Sequence, residues 1–266
     1  MKLAIQDVLL PGPDPAAKPA LAAACGFDFI EYRYPNLENS WREVRAALAD
    51  SPVTLHSIDE LPFRRLAIPD PDHSARLNSA LRAIDITAEL GARVLTTIGA
   101  LGNISTQFPF DRMLATYVES LQILAGPAAA AGITLAIEPL NRYETRFLNT
   151  LAEAVAVAGR VDRPNVKIMA DFFHLNLEEL DIAASLRAAL PHLAHVHLAD
   201  SNRLLPGRGH LDFALSLIAL EEPAYTGVMT IECCIAERWR GLGYFEGDHA
   251  IELRRARAHL EALLPG

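Results

Sequence analysis

Eight short apolar runs alternate with segments of helical spacing along this chain, and that alternation limits the folds open to it. The runs are KLAIQDVLL, FDFIEYR, VTLHSI, ARVLTTIG, ITLAIEPL, VKIMADFF, LAHVHLAD and GVMTIECC. They are too short and too rich in β-branched residues to be helices, so they predict buried strands. Between them, Ser40 to Ala49, Asp72 to Leu90, Asp111 to Ala125, Leu151 to Gly159, Glu178 to Leu190, Asp212 to Leu220 and Asp248 to Leu264 predict helices. Asp72 to Leu90 is the clearest. Asp72 stands at the cap, Leu77, Leu81, Ile84 and Ala88 form one face, and Gly91 ends the helix. Pro127 is expected to kink a longer fourth helix. Strand–helix pairs in strict alternation predict an α/β fold, a single (β/α)8 TIM barrel over residues 1–266. A doubly wound open sheet is the runner-up, but no G-x-G-x-x-G loop follows the first run.

Bulk properties exclude several classes. At 266 residues and 51% hydrophobic content the chain can bury a full core without staples. A net charge of −9 is a poor match for a phosphate backbone, so nucleic acid is not an expected partner. Cys233 and Cys234 are adjacent and Cys25 is distant, which argues against a disulfide framework and for a reducing, cytoplasmic setting. Gln6 and Asp7 interrupt the first apolar stretch, making it a poor signal peptide. The richest apolar tract, Ile123 to Ile137, is broken by Gly126, Pro127 and Gly132, so no membrane span is expected.

A parallel barrel places its chemistry at the C-terminal ends of its strands. The polar residues there are Gln6 or Asp7, Glu31, His56, Thr96 and Thr97, Glu138, Asp171 with His174, His197 with Asp200, and Glu232. Glu138, Asp171, His197 and Glu232 lie in phase at or just past four successive runs. Three carboxylates and an imidazole suit one divalent cation. For any one of them a capping or solvated role is the plainer reading, but four in phase make that reading fail jointly.

The stretches AIEPLNRYETRFLNT, MADFFHLNLEE, HVHLADSNRLLPGRGHLDF and GVMTIE resemble the ketose 3-epimerases, the D-tagatose and D-psicose 3-epimerases foremost. These belong to the xylose-isomerase-like sugar isomerase/epimerase superfamily. The resemblance covers the second half of the chain; the first half agrees mainly in its strand–helix rhythm. It implies that Glu138, Asp171, His197 and Glu232 bind one divalent metal, Mn²⁺ ahead of Mg²⁺ or Co²⁺. It implies that Glu138 and Glu232 are the paired acid/base carboxylates, and that Glu144, His174 and Arg203 hold the O1 and O2 end of a sugar. It also implies a homo-oligomer, dimer or tetramer.

The physics agrees with that implication. A C–H beside a ketone is too weak an acid to ionise unaided, and a divalent ion on the neighbouring oxygens stabilises the enediolate as it forms. Two carboxylates on opposite faces then remove and return the proton, inverting the centre. His174 and Arg203 offer donors to sugar oxygens.

Plainer roles stand beside these. Arg203 pairs Asp200 at the surface, His174 caps a helix, or Glu144 pairs Arg142 or Arg146. His56 at the third strand end is a sugar contact or a satisfied structural imidazole, and Glu31 reaches a substrate hydroxyl from the second strand. Asn141 and Asn149 shape the loop after strand five, and His210 and Cys233 are structural.

Two departures from the resemblance leave the substrate open. The loop GALGNISTQFPFD offers Phe108 and Phe110 but no Trp, and Cys233 and Cys234 follow the last glutamate, where Pro and an aromatic are usual. The alternative activity is a metal-dependent dehydratase or lyase acting on a keto-polyol or oxidised glycoside. An abasic-site endonuclease needs more imidazoles and a basic surface. A non-catalytic sugar-binding barrel would lack an acid/base glutamate, and both are present.

Overall fold

In the computed structural model, which describes residues 2–59, 63–220, 225–233 and 249–263, the eight runs form a closed parallel barrel in sequence order. Its strands are Lys2–Gln6 (β1), Phe29–Arg33 (β2), Thr54–Asp59 (β3), Val94–Thr97 (β4), Thr134–Ile137 (β5), Val166–Asp171 (β6), Leu193–Leu198 (β7) and Val228–Ile231 (β8). The helices are Lys18–Ala24 (α1), Tyr34–Leu37 (α2), Trp41–Ala49 (α3), His73–Glu89 (α4), Phe110–Ala130 (α5), Leu151–Val161 (α6), Phe172–Glu178 (α7), Ile182–Ala189 (α8), Phe213–Ile218 (α9) and His249–Leu263 (α10). Cys234 and the expected ends of the last helix, Asp248 and Leu264, lie outside the described residues. Among those described, no helix is long and apolar enough to cross a membrane.

Alternation along each strand sorts the side chains into two compartments. Leu3, Ile5, Ile30, Leu55, Ile58, Leu95, Leu135, Ile137, Ile168, Val196 and Ile231 face outward and join the main core shared with the helices. Val94, Ala136, Met169 and Ala194 face inward and form a small apolar plug. Two residues further along β4, β5 and β6 stand Thr96, Glu138 and Asp171, so the polar layer sits one step above that plug.

Two strands break the alternation. Pairing jumps from Ile30↔Leu55 to Glu31↔Ser57, which makes His56 an extra residue in β3. It jumps again from Ile168↔Leu193 to Met169↔His195, which makes Ala194 extra in β7. Each bulge turns two consecutive side chains to the lumen, His56 with Ser57 and Ala194 with His195. The end of β3 is therefore Asp59, and His56 lies three residues below it.

Several helical expectations need correction. In α4 Ala80, Ala83, Ile84, Ile86 and Thr87 are buried and Leu77 and Leu81 pack against the core as expected, but Ala88 faces solvent. Asp72 stands at the α4 cap without a capping bond; Asp70 Oδ1 instead accepts from the Asp72 N–H. The longer helix expected to contain Pro127 is present, α5 running through it to Ala130. The helix expected from Glu178 to Leu190 starts later, at Ile182, where Asp181 accepts from Ala184 N–H, and a separate α7, capped by Asp171 through Phe173 N–H, precedes it. α6 opens on a reciprocal capping box, Thr150 with Glu153, which fixes where the long β5–α6 loop ends.

Asp7 turns away from the lumen, accepting from Arg33 N–H at 3.0 Å and Asn36 Nδ2 at 2.7 Å. Burial lifts its carboxyl to about 6 against those bonds. A folded-state value above the unfolded one favours folding below about pH 4, and that contribution is lost as pH rises through 6. Asp7→Asn should therefore gain on the native protein by up to about 3 kcal/mol between pH 4 and pH 7. Denaturant titrations of both proteins across that range measure it; a pH-independent difference would refute the assignment.

Candidate active site

The ends of β5, β6 and β7 bring Glu138, Asp171 and His197 together, all buried, with one ligand atom from each within 4.8 Å of the others. Glu232, the residue after β8, is half-buried and lies outside that tight group. It joins the set through Arg203, whose Nη2 stands 3.2 Å from Glu232 Oε2 and 3.6 Å from Asp171 Oδ2.

Local structure fixes each carboxylate. Asp171 spends Oδ1 on Phe173 N–H at 2.9 Å, which leaves Oδ2 buried with no hydrogen-bond donor. A buried carboxylate oxygen is costly without a donor or a cation, and the Arg203 guanidinium at 3.6 Å stands beyond hydrogen-bond reach, so Oδ2 stays open to a further cation. This oxygen and the oxygen-and-nitrogen donor set fit a hard or borderline divalent metal. Burial pushes the Glu138 carboxyl well above its usual range; His197 opposes this, and the carboxylates of Asp59, Asp171 and Glu232 add to it.

His174, on α7, reports its own tautomer. Its Nδ1 accepts from Asn141 N–H at 3.2 Å and from Asn141 Nδ2 at 2.8 Å. The neutral ring must then carry its proton on Nε2. Burial first, and Arg203 second, hold the imidazole down at about 3, so it is neutral. Nε2–H lies 3.3 Å from Asp171 Oδ2 and 3.8 Å from Glu138 Oε1. Arg203 Nη1 is 3.1 Å from the same Nε2. Both carry hydrogens, so that approach aims two donors into one space.

Arg203 arrives there through an unusual backbone. Its φ is 61°, in the left-handed region. Asp200 builds the loop that imposes it, accepting from Ser201, Gly207 and Leu211 N–H, while its own carbonyl accepts from Arg203 N–H. A Cβ at Gly209 would collide with the Asp200 carboxylate, so only glycine admits this arrangement. The guanidinium stacks 4.7 Å over Phe173 and reaches Glu144 Oε1 at 3.6 Å.

Glu144 also accepts from Asn141 Nδ2 at 2.9 Å, whereas Arg142 pairs Glu178. The structure thus brings Glu144, His174 and Arg203 to the same place as the carboxylates. Asn149 Nδ2 donates to Leu140 and Thr145 carbonyls, as a loop-shaping residue should. His210 bonds Ser201 on the surface.

His56 is not brought to this cluster. Its ring packs edge-on to Phe29 at 6.4 Å and against His195 at 5.6 Å, below the strand end. Glu31 does not offer itself to a substrate hydroxyl. It is fully buried, and its oxygens accept from Gln6 Nε2, Ser57 Oγ and the rings of His195 and His197.

The sequence reading missed Ser57, Asp59 and His195. Asp59 accepts from Thr96 Oγ1 at 2.9 Å and Gln6 Nε2 at 3.2 Å, closing the polar layer across β1, β3 and β4. Asp59 was open to view as the acid directly after the run VTLHSI; Ser57 and His195 were hidden by the bulges.

The family profile described as a xylose isomerase-like TIM barrel matches residues 19–261. The 3-dehydro-D-guloside 4-epimerase of Escherichia coli K12 is 33% identical over 221 residues, 78% of this chain and 82% of that protein. The D-psicose 3-epimerase of Ruminiclostridium cellulolyticum is 30% identical over 222 residues, 79% and 75% of the respective chains. A crystal structure of D-psicose 3-epimerase with D-tagatose from Clostridium cellulolyticum H10 superimposes with a TM-score of 0.91, covering 99% of each chain at 24% identity, which speaks to the fold. Fold and relatives define an enzyme of the isomerase class. The chain belongs to the xylose isomerase-like TIM barrel family, among its ketose 3-epimerase-like sugar isomerases and epimerases.

Proposed function

We propose that this enzyme inverts a stereocentre beside the ketone of a free sugar or keto-glycoside, by proton transfer between two glutamates through an enediolate. The observation that carries the proposal is the buried Glu138–Asp171–His197 group with its donor-less Asp171 oxygen. Glu138, Asp171, His197 and Glu232 would hold one divalent ion, Mn²⁺ first. Such an ion, when bound, supplies Lewis-acid stabilisation of charge on the sugar's oxygens.

The chain's own groups do the rest. Glu138, lifted by burial toward neutrality, can exchange a proton at the carbon beside the carbonyl. Glu232, on β8 rather than β5, serves the other face. His174 Nε2–H and the Arg203 guanidinium donate to the sugar's oxygens, with Glu144 fixing Asn141 and receiving a hydroxyl. Asn141 fixes the His174 proton on Nε2 while burial and Arg203 keep the ring neutral, so it donates without competing for the reacting proton.

The relatives' names include a ketose 3-epimerase and a 3-dehydro-glycoside 4-epimerase, and both reactions exchange a proton next to a ketone. Incubation of the Mn²⁺-loaded protein in D₂O with free ketoses and 3-keto-glycosides separates the outcomes. Deuterium at C3 of a ketose, or at C4 of a 3-keto-glycoside, supports epimerisation. Label at C1 or C2 makes it an aldose–ketose isomerase, and loss of water or of a ring substituent makes it a dehydratase or lyase. Chelation should abolish label uptake, and Mn²⁺ or Co²⁺ should restore it. Uptake that survives exhaustive chelation would end the metal assignment.

A further inference from the structure

β1, β2 and β3 supply no residue to the ligand set, yet their side chains converge on one of its members. Glu31 extends from β2 across the lumen to β7, where His197 Nε2 lies 3.0 Å from Oε1 and 3.2 Å from Oε2. The same carboxylate accepts from His195 Nε2 at 2.7 Å. Ser57 Oγ donates to Oε2 at 2.6 Å, and Gln6 Nε2 donates to Oε1 at 3.0 Å. Glu31, Ser57 and His195 are all fully buried. Ser57 and His195 both owe their inward direction to the bulges in β3 and β7.

A carboxylate can only accept, so the ring nitrogens facing it must carry hydrogens. A neutral His197 bonded this way has its proton on Nε2 and its lone pair on Nδ1, directed away from Glu31. An imidazole that ligates a metal is commonly fixed by the partner of its other nitrogen. We infer that Glu31 is a positioning residue for the metal: it sets the tautomer and ring orientation of His197, and His195, Ser57 and Gln6 hold Glu31 in place. The half of the barrel without ligands thereby governs metal affinity, with Nδ1 as the ligating nitrogen. This rests on the reading of His197 as a ligand.

Glu31→Gln keeps the size of the side chain but puts an N–H₂ against one of the two ring N–H groups. Mn²⁺ binding to the chelator-treated variant, measured by calorimetry, should weaken about 10- to 100-fold. Far-UV circular dichroism should match the native protein. In ¹⁵N-histidine spectra of the Mg²⁺-loaded native protein, His197 should show a protonated Nε2 and an unprotonated Nδ1; in Glu31→Gln that pattern should be lost. If Glu31→Gln does not fold, Ser57→Ala withdraws one donor from the same carboxylate and should weaken Mn²⁺ binding at least twofold.

A folded Glu31→Gln that binds Mn²⁺ like the native protein overturns the inference, as does an unchanged Ser57→Ala in its place or a native His197 protonated on Nδ1. Native protein that takes up no Mn²⁺ at all would instead overturn the metal reading beneath it.

Discussion

Glu138→Gln and Glu232→Gln should each lower turnover by about three orders of magnitude or more, with the fold unchanged. The size follows from two losses together. Glutamine cannot accept or return a proton, and it removes one negative charge from the set proposed to hold a divalent ion. The two variants also separate the roles. If Glu138 and Glu232 act on opposite faces, one variant still washes the substrate's proton into D₂O through the surviving carboxylate while failing to invert the centre. A steady-state assay gives the first result, and mass spectrometry of recovered substrate gives the second. Inversion at near-native rate in either variant would sink the two-base mechanism. Equal loss of exchange and inversion in both would instead reduce one glutamate to a metal ligand.

The architecture was legible because eight strand-forming runs are separated by helical segments in every gap but the first, where α1 went unread, and eight such strands in sequence order close into a barrel. The residues of β5 to β7 proposed as ligands were legible for a related reason. In β5 and β6 the period of two is unbroken, so Glu138 and Asp171 fall where the strand's end places them, and His197 follows its own strand's last inward step. What escaped was whatever a bulge displaces. His56 reads as the third strand's polar end, but an extra residue drops it below, beside His195, and brings Ser57 and Asp59 into the polar layer. Nothing local in VTLHSID marks that insertion, because a bulge in a parallel pair is set by how its two neighbours register. Glu31 was misread for a similar cause. An acid at a strand end looks like a substrate contact, and only the tertiary structure reveals two imidazoles from β7 already bonded to it. Arg203 shows the reverse. Its backbone strain and its aim depend on Asp200 and Gly209, and the resemblance carried that information where periodicity could not.

Asp171→Asn should make binding and stability move in opposite directions. Oδ1 of Asp171 caps α7 through Phe173 N–H, and an asparagine carbonyl keeps that bond. Oδ2 is buried without a donor and lies near the carboxyl of Glu138, which burial and the neighbouring carboxylates already push toward neutrality. The Arg203 guanidinium, 3.6 Å from Oδ2, keeps its closer partner Glu232, so removing the charge relieves repulsion in the chelated protein at little cost to the helix, and the melting temperature should equal or exceed that of the native chain. Metal addition reverses the order. At a free Mn²⁺ concentration about 100 times the dissociation constant, the native protein gains about 2.7 kcal/mol. For a chain of this size that is roughly 5 to 10 °C in melting temperature. The variant, lacking a proposed ligand oxygen that has no hydrogen-bond partner in the protein, should show almost none of this gain. Differential scanning fluorimetry of both proteins with chelator and with Mn²⁺ reads all four values. A variant that melts well below the native protein in chelator would mean Asp171 is structural. One that gains the full increment from Mn²⁺ would mean that the ion is held elsewhere in the barrel.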